Sequence, residues 1–338
     1  MINCAIAGLG RWGRALVEAA HQVPRLRISR AVETDLDGAR DFCSEQRIAL
    51  TNNFSSVLED TSIDAMVLAT PHSLHRSQVI AAAAAGKQVF CEKPLALCRE
   101  DATAMFAACK AAGLVLAVGH NRRFWPSLRA LREIVASGEL GTILHVEGHN
   151  SNENSNAVLK GWRLSPDESP GGGLTGAGLH VLDAFISLVG PARRVYASLA
   201  VRAAGPPPLD TAMLAIDFAN GVTGTLSTVR ATPFYWRVHV FGSNGSAEVR
   251  DEVTIVIRKP RTTPQTLTYP AVDTLAAELD AFADAVAGKH PYPVPETEVL
   301  ATLAAFEAAL ASMASGQPVS CDPSEDHARA LAAKSRAT

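Results

Sequence analysis

The segment Asn3-Cys-Ala-Ile-Ala-Gly8-Leu-Gly10-Arg-Trp-Gly13 restricts this chain more than any other stretch. A short apolar run ends at Gly8, and helix-periodic apolar residues (Ala15, Leu16, Ala19, Ala20) come next. The order is strand, tight turn, helix. Gly8 lets the chain leave the strand sharply, Gly10 leaves room for a pyrophosphate, and Gly13 lets the helix lie close on the sheet. The phosphates would meet free N–H groups at the helix N-terminus, beside Arg11 and Trp12. The next apolar run ends at Glu33, about twenty residues on, where a carboxylate accepts hydrogen bonds from ribose hydroxyls. The pattern predicts a dinucleotide site. Glu33 favours NAD over NADP because it repels an extra phosphate, and Thr34 rather than arginine comes after it, although Arg30 lies nearby. Asp35 and Asp37 are alternative ribose ligands, and Glu33 would then be a solvated strand end.

At 338 residues there is room for two domains, taking about 150 residues for each. A content of 47% hydrophobic and 19% charged residues excludes long disorder. The net charge of −3 gives no footprint for nucleic acid or an anionic membrane. No apolar run matches a membrane span, and Met1 leads into a strand without a basic leader. Six cysteines are scattered without paired spacing, as expected of reduced thiols in a cytoplasmic protein. No histidine and carboxylate set has metal-ligand spacing, so no metal is expected.

Strand and helix patterns alternate through residues 1–120, which predicts a doubly wound parallel sheet, a Rossmann domain. The run over 65–70 is continuously apolar, as a central strand is. Residues 121–338 read as a second, α+β domain. After a helix over 127–137, alternating segments at 143–148, 194–201, 212–218, 222–229, 235–241, 246–250 and 253–257 predict a large, mostly antiparallel open sheet. Asn244-Gly245 marks a hairpin turn. Helices over 176–188, 274–287 and 297–314 are expected to cover one face. The segment 206–208 is a proline loop, and the last dozen residues are polar and alanine-rich.

Glu92-Lys93-Pro94 succeeds a strand of the first domain, which puts it at the carboxyl edge where ligands bind in open α/β sheets. A lysine there can donate to a substrate oxygen and steady developing alkoxide charge. A surface lysine before a turn is the alternative. Asn152 to Asn156, Trp162 and Arg163 are candidate substrate contacts, by hydrogen bonding and ring stacking, or else core and solvated loop. Gly171-Gly-Gly173 suggests a mobile flap, Arg237 and His239 could reach a site or an interface, and Tyr235 and Trp236 suggest a contact between subunits.

Together these features resemble the Gfo/Idh/MocA family, the relatives of glucose–fructose oxidoreductase and inositol dehydrogenase. The resemblance runs through Gly8-Leu-Gly-Arg-Trp-Gly13, Thr70-Pro-His-Ser-Leu-His75, Cys91-Glu-Lys-Pro94 and Gly119-His-Asn-Arg-Arg-Phe124. It continues through Ser137-Gly-Glu-Leu-Gly141 and Gly171-Gly-Gly-Leu-Thr-Gly-Ala-Gly-Leu-His180, with Asp183 after it. It implies NAD(P)-dependent oxidation or reduction of a sugar, cyclitol or similar small molecule, in a homodimer or homotetramer assembled through the C-terminal sheet. Lys93 then touches the reacting oxygen and His180 is the general acid/base, a role suited to an imidazole, which ordinarily titrates near pH 6.5. A helix histidine bonded to a backbone carbonyl is the bland alternative. Thr70, Pro71, His72, His75, Glu92, Asn121 and Arg122 border the cofactor. In two places the chain departs from the family pattern. Gly176 stands where an aspartate is common, four residues before His180, and His120 stands where a tyrosine is frequent. Two further readings stay open: a tightly held NAD used for transient oxidation in elimination, epimerisation or hydrolysis, as in some members of that family, or, because of Gly176, a non-catalytic NAD-binding regulator.

Overall fold

A computed structural model describes residues 1–152, 161–203 and 208–322. The expected contacts at 153–156, most of the proline loop and the polar C-terminal stretch lie outside the described residues. The chain divides into two compact units, one of Met1–Phe124 with Val272–Glu296, the other of Trp125–Ala271 with the chain from Thr297 onward.

In the first unit, strands β1 (Ile2–Ala7), β2 (Leu26–Val32), β3 (Ala49–Thr51), β4 (Ala65–Leu68), β5 (Gln88–Glu92) and β6 (Leu116–Gly119) form a six-stranded sheet. Its order is β3-β2-β1-β4-β5-β6, and every neighbouring pair is parallel. Such an order reverses between β1 and β4, so the ligand crevice lies beyond the carboxyl ends of those strands. β4 is buried throughout, as its apolar run requires. Helices α1 (Arg11–Ala20), α2 (Leu36–Gln46), α3 (Phe54–Leu58), α4 (His72–Ala84) and α5 (Arg99–Ala111) make the crossovers.

Sequence position placed the helix Thr274–Val286 with the second sheet; it packs in the first unit instead. Its Ala276, Leu279 and Phe282 join a core that contains Leu16, Val17, Leu26 and Phe90. Arg25 forms ion pairs with Asp280, at 2.5 Å, and with Asp284. Beyond the helix, the Tyr292 hydroxyl donates to the Val118 carbonyl at 3.0 Å. The amphipathic pattern specifies a buried face but not which sheet buries it.

The second unit holds a nine-stranded sheet. Its strands are β7 (Ile143–Asn152), β8 (Ala192–Ala203), β9 (Leu209–Phe218), β10 (Thr223–Arg230), β11 (Tyr235–Gly242), β12 (Gly245–Val249), β13 (Thr254–Arg258), β14 (Gln265–Thr268) and β15 (Val319–Ser320). The order is β14-β13-β12-β11-β7-β10-β9-β8-β15, antiparallel except for the β7–β10 pair. The Asn244-Gly245 hairpin joins β11 to β12. One face carries Val146, Leu214, Val238 and Val249 into a core with Leu182 and Phe185 of the helix Leu179–Val189. Trp236 is part of this core, its ring centroid 5.0 Å from that of Trp125, so the expected subunit contact is left to the exposed Tyr235. The helix Glu296–Ser315 is long and apolar enough, by length and composition, to cross a membrane. Its Ala305, Phe306 and Ala309 are buried in this same core.

Candidate active site

The cofactor half is built by the first unit. Gly8 takes φ +89°, and a β-carbon there would lie 2.6 Å from the Ala69 carbonyl oxygen. A β-carbon on Gly13 would run into the Gly8 carbonyl, so this glycine lets helix and strand touch. Gly10 has no atom within 4 Å of a β-carbon position, which leaves open space above the turn. α1 begins directly after it, with no side-chain cap and no acidic residue in its first turn. Arg11 and Trp12 occupy that turn, the guanidinium 5.7 Å from the indole. An uncapped N-terminus with open space before it suits a pyrophosphate.

Glu33 lies against this turn. Its Oε2 accepts the Leu9 N–H at 2.7 Å, while Oε1 accepts the Thr34 N–H at 2.7 Å. The alternative carboxylates are engaged elsewhere: Asp35 caps α2 through the Gly38 N–H, and Asp37 pairs with Arg40 on the surface. Arg30 pairs with Asp60 at 2.9 Å. Arg14, which carries no motif signal in the sequence, donates to the Leu9 carbonyl at 3.0 Å and the Gly38 carbonyl at 2.7 Å, and lies over Phe42. These residues fit the phosphate and ribose portions of a nicotinamide dinucleotide.

At the carboxyl end of β4, Thr70 donates to Gln78 and Pro71 leads into α4. His72 and His75 lie edge to face in that helix, with ring centroids 5.8 Å apart. His75 is fully buried, with ring nitrogens 3.0 Å from the Pro94 carbonyl and 3.1 Å from the Thr70 carbonyl. It therefore ties the turn after β4 to the turn after β5. Glu92 ends β5, and its Oε2 accepts the Lys93 N–H at 3.1 Å. The Lys93–Pro94 peptide is cis, and Lys93 is half-buried at this edge. Asn121 opens a 3-10 turn with Arg122 and donates to Thr274 at 3.2 Å. The structure thus gathers the glycine turn, Glu33, Thr70 to His75, Lys93 and Asn121 in one unit.

The second unit places His180 in the first turn of the helix Leu179–Val189, with Asp183 one turn on, both buried. A π-helical turn, Leu174–Gly178, precedes it, and Gly176 is exposed on that turn. The three glycines at 171–173 are packed rather than free to act as a flap. The Gly173 N–H donates to Asp210 Oδ1 at 3.0 Å, and a β-carbon on Gly172 would lie 2.8 Å from the same carboxylate. Asn150 donates to the Ala177 carbonyl at 2.8 Å. Asp210 and Asn150 were not legible as site residues, since neither sits in a motif. Asn152 ends β7, and Trp162 and Arg163 share a 3-10 turn, the guanidinium 4.1 Å from the indole centroid. Arg237 is paired with Glu147 at 2.5 Å. Burial drives the neighbouring His239 imidazole down to about 4. Among the described residues no group of three or more His, Cys, Asp or Glu side chains is placed to hold a metal ion.

Residues 2–120 match the model of an oxidoreductase family with an NAD-binding Rossmann fold, and residues 128–248 match the GFO/IDH/MocA C-terminal domain. The chain belongs to the Gfo/Idh/MocA oxidoreductase family. It is an NAD(P)-dependent oxidoreductase. The scyllo-inositol 2-dehydrogenase (NAD(+)) of Bacillus subtilis is 28% identical over 95% of this chain and 96% of its own. The 2,7-anhydro-N-acetylneuraminate hydratase of Escherichia coli is 26% identical over 74% of this chain and 68% of its own. A solved levoglucosan dehydrogenase, in complex with NADH and levoglucosan, superposes with a TM-score of 0.86 at 24% identity, covering 95% of this chain and 99% of that one. That likeness is one of fold. It covers the second, nine-stranded sheet as well as the first.

Proposed function

We propose that this Gfo/Idh/MocA chain oxidises, or in reverse forms, a secondary hydroxyl on a polyhydroxylated small molecule, with NAD as cofactor. The observation that carries the reading is Lys93 at the carboxyl end of β5, in the same unit and on the same sheet edge as the uncapped glycine turn and Glu33. Bound nicotinamide supplies the hydride acceptor. Lys93 donates to the reacting oxygen and opposes the negative charge that grows on it. His180 takes the hydroxyl proton as the carbon loses its hydride, and returns it in the reverse direction. Asn152, Trp162 and Arg163 hold the hydroxyls and ring face of the substrate. The dehydrogenases for an inositol and for an anhydrosugar among the relatives support a neutral polyol.

The preference for NAD rests on Glu33 facing the glycine turn and on Arg30 being paired with Asp60. A homodimer or homotetramer through the open sheet is supported by exposed Tyr196, Met213 and Tyr235 on its strands. A cytoplasmic location is supported by the buried thiols of Cys4, Cys43, Cys91 and Cys109. Gly176, together with the hydratase relative, favours a second reading in which NAD stays bound and oxidation is transient.

Purified protein incubated with NAD or NADP and a panel of inositols, aldoses, sugar acids and anhydrosugars tests this. The expected result is reduced cofactor from NAD with at least one polyol, and a loss on the order of 100-fold or more in Lys93→Ala and in His180→Ala. Activity surviving in both variants would overturn the assignment. Cofactor retained through purification, with substrate converted but no net reduction, would select the transient-oxidation reading.

A further inference from the structure

The turn that delivers His180 is held in an uncommon conformation by charges that no motif contains. β9 and β10 run antiparallel with Thr211 opposite Val229, so Asp210 and Arg230 stand at the next rung. Arg230 Nε lies 3.1 Å from Asp210 Oδ2, with the two side chains only 9% and 5% exposed. Burial pushes the Arg230 guanidinium down, and the charge of Asp210 opposes that shift. A buried ion pair is weak evidence for stability, because desolvation offsets its attraction. What this pair does is geometric.

Asp210 uses its other oxygen to accept the Gly173 N–H, the last backbone donor before the π-helical turn. Gly172 sits at φ +61°, and the carboxylate fills the space a β-carbon would need there. At the far end of the turn, Asn150 donates to the Ala177 carbonyl, and Thr228 leaves no room for a β-carbon on Gly178. Thr175 donates back to the Pro170 carbonyl. The turn is therefore pinned at both ends by β7, β9 and β10. A π-turn holds one residue more than an α-turn, and such turns concentrate at functional sites. Relaxing it to α geometry would rotate the helix that carries His180 by about 100°, one residue's step around a helix of 3.6 residues per turn.

We propose that Asp210, itself held by Arg230, is the positioning residue that keeps residues 174–178 in the π-turn and so sets which way His180 faces. The proposal rests on the reading of His180 as proton acceptor, and its test is read on the backbone so that the two can fail separately.

Amide hydrogen exchange over residues 173–178 is measured in the full chain without substrate, alongside kcat, KM and the pH profile. Asp210→Ala is expected to speed exchange across the turn and to lower kcat by about 100-fold, the cost of misplacing a catalytic group, with the KM for NAD unchanged. Asp210→Asn, which keeps the acceptor for Gly173, is expected to hold exchange slow and to keep kcat within about tenfold of wild type. If Asp210→Ala does not fold, the comparison moves to two charge-free pairs, Asp210→Asn with Arg230→Met and Asp210→Leu with Arg230→Met. The asparagine pair should retain the protected turn, and the leucine pair should lose it. Equal exchange between the members of either comparison overturns the proposal. An active His180→Ala beside a loosened Asp210→Ala turn would sink the proton-acceptor reading and leave the positioning role standing.

Discussion

The Leu9 N–H donates to Glu33 Oε2 at 2.7 Å, which ties the glycine turn after β1 to the carboxylate just after β2. On the proposed reading, the carboxylate that would meet the ribose is thus set in place by the same loop that would receive the phosphates. Glu33→Gln keeps an acceptor for Leu9 but removes the charge. A hydrogen bond to a charged group contributes about 1.5–3 kcal/mol. The ratio of NAD to NADP affinity should therefore fall by about tenfold or more. Fluorescence titration with both cofactors checks this, and an unchanged ratio would place discrimination on another residue.

Gly10 and Gly13 differ in what a methyl group would meet, and the two alanine variants should fail in different ways. Gly13→Ala forces a β-carbon into the Gly8 carbonyl, so the cofactor-free protein should lose about 1–3 kcal/mol, the usual cost of overpacking. Gly10→Ala meets no atom within 4 Å, so its melting should stay at the wild-type value while NAD binding weakens. Thermal melts with and without cofactor separate the two. Equal destabilisation of both cofactor-free variants would contradict the packing described for this turn.

The features legible in the sequence were those whose physics is local. Gly8, Gly10, Gly13 and Glu33 announce themselves by spacing, because one strand, turn and helix and the strand after them are consecutive in the chain. The alternation at 143–148 and 212–218 likewise reports a sheet with one buried face. Short edge strands escaped notice: β14 is largely exposed and β15 has two residues, so neither carries a buried alternation. Gly171 to Gly173 suggested mobility because glycine allows it, whereas Asp210, thirty-seven residues from Gly173, makes it a site of close packing. Trp236 could equally have been core or interface, and only the approach of Trp125 settles it. Single charged residues such as Arg14, Arg230 and Glu278 have no periodic signature, so their roles emerge only when separate elements of the fold meet.

Glu278 provides a pH-dependent test of the first unit. It is fully buried, and neither carboxyl oxygen has a hydrogen-bond partner among the described residues. One turn along the same helix, Phe282 packs edge-on against Phe90, at 5.9 Å between ring centroids. Glu92 lies two residues beyond Phe90 and so points to the same face of β5. Burial, reinforced by the charges of Glu92 and Asp273, holds the Glu278 carboxyl well above the usual carboxylate range. The folded protein keeps a proton that the unfolded chain releases near pH 4.3, so stability falls as pH rises above about that value. Glu278→Gln cannot titrate. Its melting temperature relative to wild type should therefore climb between about pH 5 and pH 8. A difference that stays flat across this range would mean that Glu278 is ionised in the folded state.

Gly176 is the departure that bears most directly on the chemistry, and the structure allows it to be reversed. A β-carbon there would meet no atom within 4 Å, and the residue is exposed on the π-turn four positions before His180. Gly176→Asp should fold, because aspartate is at least as favourable as glycine in a helical turn. Its carboxylate would give His180 an anionic neighbour, which favours the protonated imidazole. A proton acceptor that is harder to deprotonate loses activity first at low pH. The acid limb of kcat/KM for substrate oxidation should therefore move upward by about one pH unit, and activity near pH 6 should fall relative to pH 8. The pH profile of the variant beside wild type checks this. An unmoved limb in a folded, NAD-binding variant would show that the π-turn directs position 176 away from the imidazole, and the missing aspartate would then be explained by the turn rather than by the substrate.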